Sequence, residues 1–466
     1  MGLWICLGAL AALIYLAYRG FSVILVAPLV AMAAVLLTDP GAVAPAFSGL
    51  FMDKLATFVK LYFPVFLLGA IFGKLIEVSG AARSIVAGIT RIMGAERAIL
   101  AIAVVGMILT YGGVSVFVVV FATYPFAAEM FRRADIPKRL VPATIAFSAF
   151  TITMDALPGT PQIQNIIPTT FFRTDAYAAP YLSLLAAAFT FACCLAYLER
   201  QRRRAVASGE GYGSGHRNEP EPVDDAQAMP LGLALLPLVI VGFGNRLILE
   251  FLPGAYGDTA TARLDPGLAG SALISLEVKA NAALWAVEGA LLLGIAATLI
   301  IGWSAIRGRF ASAGQTAVAG SLLAALNTAS EYGFGAVIAA LPGFRQIATA
   351  LATIKDPLLN AAITTNILCG ITGSASGGLS LTLGAFADRF IAAAEANAIP
   401  LEVMHRIASL ASGGMDTLPH NGAIITLLAV TGLTHREAYK DIFVITLIKT
   451  ATAFVAIAIY YATGIV

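Results

Sequence analysis

The sequence has 466 residues, of which 59% are hydrophobic and 12% are charged, and its formal net charge is +2. Soluble domains carry roughly a quarter charged residues, so this composition excludes a water-soluble globular protein. The small net charge gives no basis for a nucleic-acid partner. The four cysteines lack the spacing of a metal site, so we expect neither a metal nor another cofactor.

Apolar stretches long enough to cross a bilayer as helices recur in the first half of the chain. A hydrocarbon core about 30 Å thick needs roughly 20 apolar residues in helical form. In chain order, the pattern predicts spans at 3–18, 21–37 and 61–82, short apolar pieces at 97–110 and 114–131, an interrupted helix at 138–172, and a span at 178–198. The polar segment 199–229, rich in arginine, glycine and proline, is predicted to be a solvated cytoplasmic linker.

The same series of elements returns after the linker. Spans are predicted at 231–252, 281–303 and 317–342, short pieces at 357–370 and 378–396, an interrupted helix at 401–433, and a last span at 441–464. We therefore predict an all-α polytopic membrane protein made of two repeats. The first covers 1–198, with a re-entrant hairpin at 97–131 and a broken helix at 138–172; the second covers 230–466, with a hairpin at 357–396 and a broken helix at 401–433.

Matching motifs support an internal duplication. Three short motifs occur in the same order in both halves, at offsets of 265, 263 and 261 residues. The pairs are Gly112–Ser115 with Gly377–Ser380, Ile136–Pro137 with Ile399–Pro400, and Met154–Pro158 with Met415–Pro419. Three ordered matches at one period indicate that the two halves are related.

The distribution of basic residues orients the two repeats. Lysine and arginine in short loops prefer the cytoplasm. Arginines such as Arg97 and Arg132 flank the first hairpin, which is therefore expected to open to the cytoplasm, whereas the flanks of the second, near Lys355 and Glu395, are less basic. With about five crossings and one hairpin each, the halves form an inverted-topology repeat. We predict a multi-pass protein of the bacterial inner membrane.

The helix interruptions are where we expect the chemistry. Prolines and glycines break the two helices at Pro158–Pro161 and at Pro419–Gly422. Each break and each hairpin tip creates a helix N-terminus with free N–H groups and about half a positive charge. Unwound backbone at membrane depth is tolerated where protein or a polar cavity satisfies it. Four such ends predict a site for a small organic anion that needs no lysine or arginine.

Polar and small residues cluster at these four places and are the candidate substrate-binding residues. In the first half they are Gly112, Gly113, Ser115, Thr153, Asp155, Gly159, Thr160 and Asn165. In the second half they are Ser374, Ser376, Gly377, Gly378, Ser380, Asp416, Thr417, His420 and Asn421. The alternative is that these small residues only let helices pack closely.

Ionisable residues inside the membrane by default mark a transport pathway. Asp155 and Asp416 are related by the repeat and are candidate coupling groups; alternatively, they cap the half-helices that follow. Glu331 has no acidic partner in the first half and is our main candidate for a proton carrier. His420, which can titrate near neutrality, is a further candidate. No role is predicted for Lys449.

The order of motifs, from Gly112–Ser115 through Met154–Pro161 to Gly413–Gly422, resembles the gluconate permease (GntP) family of the ion transporter superfamily over essentially the whole chain. The resemblance implies a proton-coupled symporter for a small hydroxy-monocarboxylate. It also implies a homodimer with a static scaffold and an elevator-type transport domain. The second break leads directly into an apolar run, whereas gluconate carriers continue with an Asn-Asp-Ser-Gly pattern. The sequence is therefore closer to the branch that carries 3-hydroxybutyrate.

The favoured prediction is a secondary active transporter, not an enzyme, and several alternatives stay open. A gluconate or other sugar-acid symporter and a sodium-coupled carboxylate carrier are the nearest. A channel would need a continuous water-filled pore. A membrane-embedded hydrolase would need a nucleophile with a base, for which Ser412 lies near Asp416 and His420 in the sequence.

Overall fold

The computed structural model describes residues 2–19, 21–114, 116–220, 229–262, 274–351, 353–419 and 421–466. The first half is helical. Its helices are α1 (Gly2–Tyr18), α2 (Val23–Thr38), α3 (Val43–Pro45), α4 (Met52–Val78), α5 (Ala81–Met93), α6 (Ala98–Tyr111), α7 (Val116–Arg133), α8 (Leu140–Ala149), α9 (Ile152–Asp155), α10 (Ile163–Phe172) and α11 (Pro180–Ala207). A 3-10 turn at Pro40–Ala42 and a π-helical turn at Ala46–Phe51 make Pro40–Val78 one continuous helical stretch.

The second half repeats this order, with one small sheet added. Its elements are α12 (Leu231–Tyr256), β1 (Thr259–Ala262), β2 (Ile274–Glu277), α13 (Val278–Ile306), α14 (Phe310–Ala340), α15 (Phe344–Leu351), α16 (Pro357–Thr372), α17 (Ala375–Ala396), α18 (Leu401–Ser412), α19 (Gly422–Thr431) and α20 (His435–Thr463). The two strands pair antiparallel, with Thr259 opposite Glu277. Among the described residues, five helical stretches are long and apolar enough to cross a membrane.

Contacts between the halves are reciprocal. Helix α2 packs on α14, and its counterpart α13 packs on α4. Likewise α7 contacts α19, and its counterpart α17 contacts α10. Helices α4 and α14 pack on each other, as do α11 and α20. This arrangement agrees with two related halves, while the inverted direction of the repeat and the division into scaffold and moving domain stay predictions.

The predicted helices agree with the structure in type and approximate position. The short apolar pieces form two helical hairpins, α6–α7 and α16–α17, and both interrupted helices are broken. The sequence analysis missed the amphipathic helices α5 and α15 and the two-stranded sheet. Helices α5 and α15 mix polar with apolar residues and are too short to cross a membrane, so a search for membrane spans does not detect them.

Large aliphatic and aromatic side chains cover the outside of several long helices. Leu37 on α2, Leu247 on α12 and Ile300 on α13 are among the most exposed hydrophobic side chains, and Ile300 keeps 81% of its surface. A water-soluble protein rarely exposes such contiguous apolar surface. In a multi-pass membrane protein these faces lie against lipid, so the polar groups that remain buried between helices become the informative ones.

The described part of the linker folds against the helix ends beside it. Helix α11 continues to Ala207, and the segment 208–220, here called the strap, packs with Tyr212 buried. Glu219 in the strap accepts hydrogen bonds from Lys138 Nζ and Arg132 Nη2, both at 2.6 Å. Most residues of the strap are exposed, and its partners Lys138, before α8, and Arg132, at the end of α7, are ones that a local view of the linker does not include.

A second contact fixes the start of the strap. Arg139 forms a bidentate pair with Glu210, at 2.7 and 2.9 Å, and also donates to Asp441 Oδ2 at 2.8 Å. The Arg139 guanidinium holds the pKa of Glu210 below its ordinary value. Arg139, which precedes α8, thereby links both the strap and the beginning of α20.

Candidate functional site

The first break lies between α8 and α10 and is held open by its own side chains. Gly159 has φ +79°, a left-handed conformation that favours glycine. Thr160 Oγ1 donates to the Thr153 carbonyl at 2.6 Å. Asn165 Nδ2 donates to the carbonyls of Thr160 at 3.0 Å and Ala176 at 2.9 Å. These side chains satisfy carbonyls that the unwinding frees, so Thr160 and Asn165 have a structural task here.

The second break lies between α18 and α19 and is tied to the neighbouring hairpin. Asn421 Oδ1 accepts from the N–H groups of Ala423 and Ile424, at 2.7 and 3.0 Å, and thereby caps α19. Its Nδ2 donates to the Gly373 carbonyl in the turn between α16 and α17 at 2.7 Å. Thr417 Oγ1 lies 2.7 Å from Thr446 Oγ1 on α20. The free N-terminus expected at α19 is therefore already occupied by Asn421.

The first break has an equivalent tie to the first hairpin. Gln162, the residue before α10, donates through Nε2 to the Thr110 carbonyl at 2.8 Å. Each break thus binds the hairpin of its own half through a side-chain amide. This correspondence places hairpin tip and helix break together in both halves, as the repeat predicts.

The two repeat-related aspartates do not cap the half-helices that follow them. Gln162 is the N-cap residue of α10 and Asn421 that of α19. Asp416 instead accepts a hydrogen bond from Lys449 Nζ at 2.8 Å, and both side chains are almost fully buried, with 2% and 3% exposed. Asp155 Oδ2 is buried without a hydrogen-bond partner among the described residues. The two carboxylates therefore have different surroundings, although the repeat relates their positions.

Two cations lie at the breaks, where the sequence analysis expected none. Besides Lys449, the fully buried Arg406 on α18 donates to the Asp155 carbonyl at 3.0 Å and twice to the Ala178 carbonyl, at 3.1 and 3.3 Å. Ser409 Oγ also donates to the Asp155 carbonyl, at 2.8 Å. The sequence analysis placed no lysine or arginine at the breaks, whereas tertiary packing brings Arg406 of α18 to the first break and Lys449 of α20 to the second.

The second hairpin tip faces Glu331 on α14. Ser374 Oγ accepts from the Gly377 N–H at 3.0 Å and caps α17, and Ser376 Oγ lies 3.4 Å from Thr328 Oγ1. The Glu331 side chain is 5% exposed, and its Oε2 has no partner among the described residues. This oxygen occupies the space where any Cβ at Gly377 would stand. A buried carboxylate thus meets the positive N-terminal end of α17.

The remaining residues of the second tip bring its two helices together. Gly378 touches the backbone of Cys369, so the legs of the hairpin meet there without a side chain between them. Ser380 Oγ donates to the Ser376 carbonyl at 2.7 Å, which is a bond within the helix. Gly378 therefore has a packing role, and Ser380 is satisfied locally.

The first hairpin tip has apolar neighbours. A side chain at Gly112 would overlap Leu238 on α12, and one at Gly113, which has φ +88°, would lie 3.2 Å from Leu291 and 3.3 Å from Pro161. Two candidates, Ser115 and His420, lie outside the described residues.

Two functional candidates were missed by the sequence analysis. Arg406 and Lys449 are charged residues within apolar helices, a signal that was available from the sequence. His405, next to Arg406, is fully buried, with Nδ1 2.7 Å from Thr174 Oγ1 and Nε2 3.3 Å from Asn165 Oδ1. It supports the segment that follows the first break.

A family model and two transporters of known sequence are similar to this chain over different lengths. The model of the GntP permease family matches residues 12–243. The uncharacterized transporter YxjC of Bacillus subtilis is 54% identical over 478 residues and covers 100% of both chains. An uncharacterized transporter of Haemophilus influenzae is 47% identical over 73 residues, which is 16% of this chain and 17% of that relative.

Two solved structures share the fold at low sequence identity. The YdaH transporter of Alcanivorax borkumensis has a TM-score of 0.51 at 13% identity, covering 92% of this chain and 90% of its own. MtrF of Neisseria gonorrhoeae has a TM-score of 0.50 at 14% identity, covering 88% and 82%. These likenesses concern the fold alone.

Proposed function

This chain belongs to the GntP family of permeases, and from that membership we propose that it is a secondary active transporter that carries a small hydroxy-monocarboxylate together with a proton. The protein is a permease and not an enzyme. The favoured substrate is 3-hydroxybutyrate, with gluconate or another sugar acid as the alternative. The substrate and the coupling ion are our proposal.

The observation that carries the proton coupling is the position of Glu331. Its carboxyl group is buried, has one oxygen without a partner among the described residues, and lies against Gly377 at the second hairpin tip. A substrate anion that enters beside a buried carboxylate is repelled unless that carboxylate is neutralised. A proton on Glu331 removes the repulsion, so proton and anion bind together.

Charge balance at the breaks supports one carboxylate per substrate. Lys449 pairs with Asp416 at 2.8 Å, so these two side chains bring no net charge to the breaks. One added monocarboxylate is then balanced by one proton at Glu331. A dicarboxylate would bring a second charge into a buried site, which is strongly unfavourable without a further partner.

Membership in the GntP family also supports a proposal for the transport cycle. We propose that the two repeats are inverted, that the hairpins and broken helices move as one elevator-type transport domain against a static scaffold, and that the carrier is a homodimer in the bacterial inner membrane. The reciprocal contacts between the halves support the repeat. Alternating exposure of the site then follows from two related arrangements of the same elements.

Uptake of labelled 3-hydroxybutyrate into proteoliposomes tests the proposal. An inward proton gradient and an inward sodium gradient are imposed separately, and unlabelled gluconate is added as a competitor. We expect uptake with the proton gradient, insensitive to gluconate. Uptake driven only by sodium would refute proton coupling, and strong inhibition by gluconate would favour the sugar-acid alternative.

A pair of matched variants tests the role of Glu331. Glu331→Gln should lose accumulation driven by the proton gradient while it still exchanges labelled for unlabelled substrate across the membrane. Glu288→Gln changes another partly buried acid, on α13, and should keep accumulation close to that of the wild type. Equal loss in both variants would contradict a specific role for Glu331.

A further inference from the structure

Lys449 has an incomplete set of hydrogen-bond partners. It lies near the middle of α20, with 3% of its side chain exposed, and it donates to Asp416 Oδ1 at 2.8 Å. An ammonium group has three N–H donors. Within the described part of the chain, the other two have no acceptor in hydrogen-bonding range. A buried cation at membrane depth is expensive unless its donors are satisfied, so this position suggests a further acceptor.

Two buried oxygens near the pair Gly413 and Gly414 lack donors. Asp155 Oδ2 and Asn366 Oδ1 are unpartnered among the described residues. Asp155 Oδ2 occupies the space of a Cβ at Gly413, and Asn366 Oδ1 occupies that of a Cβ at the next residue, Gly414. Lys449 Cε stands 3.2 Å from the same Cβ position at Gly413. The free donors and the free acceptors are therefore neighbours around one pair of glycines.

The orientation of the Asn366 amide is fixed by its other hydrogen bond. Its Nδ2 donates to the Ala362 carbonyl one turn earlier on α16, at 3.0 Å. The oxygen must then point away from its own helix, towards Gly414. It can accept a hydrogen bond from a hydroxyl group, and it brings no charge that would repel a carboxylate.

We propose that Lys449 and Asn366 form the recognition site for the substrate. The carboxylate of the substrate accepts hydrogen bonds from the free N–H groups of Lys449, and its hydroxyl donates to Asn366 Oδ1. This inference rests on the proposed function and deepens it. One ammonium selects one carboxylate, and one amide oxygen selects an acid that carries a hydroxyl group.

Binding of 3-hydroxybutyrate and of butyrate, which lacks the hydroxyl, tests the role of Asn366. We measure both affinities in nanodiscs that contain the full-length protein. The wild type should prefer the hydroxy acid at least tenfold, because an unpaired oxygen rejects an analogue that cannot donate. Asn366→Ala should bind both acids equally, with an affinity for butyrate within threefold of the wild type. A hydroxyl preference that survives in Asn366→Ala would overturn this assignment.

A double variant separates recognition by Lys449 from a purely structural ion pair. Lys449→Met leaves Asp416 buried and alone, so it can fail to fold. Lys449→Met with Asp416→Asn removes both charges and should restore a monodisperse, thermally stable protein. We expect the double variant to bind neither acid detectably. Wild-type affinity in the double variant would overturn the role of Lys449 in recognition. Proton-driven uptake by the wild type would then still support the proposed function. If the wild type binds no hydroxy acid, the proposed function falls as well.

Discussion

Gly378→Ala tests the close contact that defines the second hairpin. A Cβ at this position would overlap the backbone of Cys369 and stand 2.6 Å from its Sγ. Backbone atoms cannot move aside by rotation of a side chain, so the two legs of the hairpin have to separate. As a matched control, Gly69→Ala on α4 adds the same methyl group where no described atom lies within 4 Å.

The two substitutions should change stability in opposite directions. Alanine is favoured over glycine inside a helix by about 1 kcal/mol. Overpacking a tight core typically destabilises by about 1–3 kcal/mol, and contact with backbone places Gly378→Ala near the upper end. The net result is destabilisation by about 2 kcal/mol. Gly69→Ala experiences only the helical preference and should stabilise by roughly 0.5–1 kcal/mol.

Thermal unfolding of the purified variants in detergent measures this difference. The midpoint should fall for Gly378→Ala and rise or stay unchanged for Gly69→Ala. Uptake into proteoliposomes should fall at least tenfold in Gly378→Ala alone, because a separated hairpin displaces the tip from Glu331. A stable Gly378→Ala variant with wild-type uptake would refute the close packing of the hairpin.

Three further predictions concern the breaks and the strap. Arg406→Gln should abolish uptake. Ser409→Ala should retain most of the uptake, because Arg406 still donates to the Asp155 carbonyl. Equal effects of the two substitutions would contradict this role of Arg406. Asn421→Ala removes a helix cap worth about 1 kcal/mol and the hydrogen bond to the hairpin. Asn421→Asp keeps the cap, so the thermal midpoint of Asn421→Asp should fall less than that of Asn421→Ala. The pKa of Glu210 is lowered from 4.5, so its pair with Arg139 is intact above pH 4.5 and is lost as the pH falls through the lowered pKa. A fluorescent dye in the strap should report that the strap separates from the helices in acid in the wild type, and already at neutral pH in Glu210→Gln. The same pH dependence in both proteins would exclude the Arg139–Glu210 pair as the contact that holds the strap.

Local signals were sufficient to predict the long apolar helices and the two breaks. Closely spaced proline and glycine at Pro158–Pro161 and Pro419–Gly422 favour a break in a helix, and the repeat of Gly112–Ser115 at Gly377–Ser380 predicts both hairpins. Glu331 was found because an acid inside an apolar helix is conspicuous in a sequence.

Pairings over long sequence distances could not be predicted in the same way. Lys449 meets Asp416 from 33 residues away, and Arg406 meets the Asp155 carbonyl from 251 residues away. Nothing in the local pattern states which helices pack together, so the cations could not be assigned to the breaks. The strap follows the same rule, since its acid Glu219 pairs with Lys138 at a separation of 81 residues.

The most direct test of the central claim is a simultaneous measurement of proton and substrate movement in sealed proteoliposomes. External labelled 3-hydroxybutyrate is added without an imposed proton gradient. A trapped dye reports internal pH while the labelled substrate taken up is counted, and protein-free liposomes serve as the blank. We expect about one proton to enter with each substrate in the wild type, and no acidification of the lumen with Glu331→Gln. Uptake by the wild type without proton movement, or acidification that persists in Glu331→Gln, would contradict this expectation.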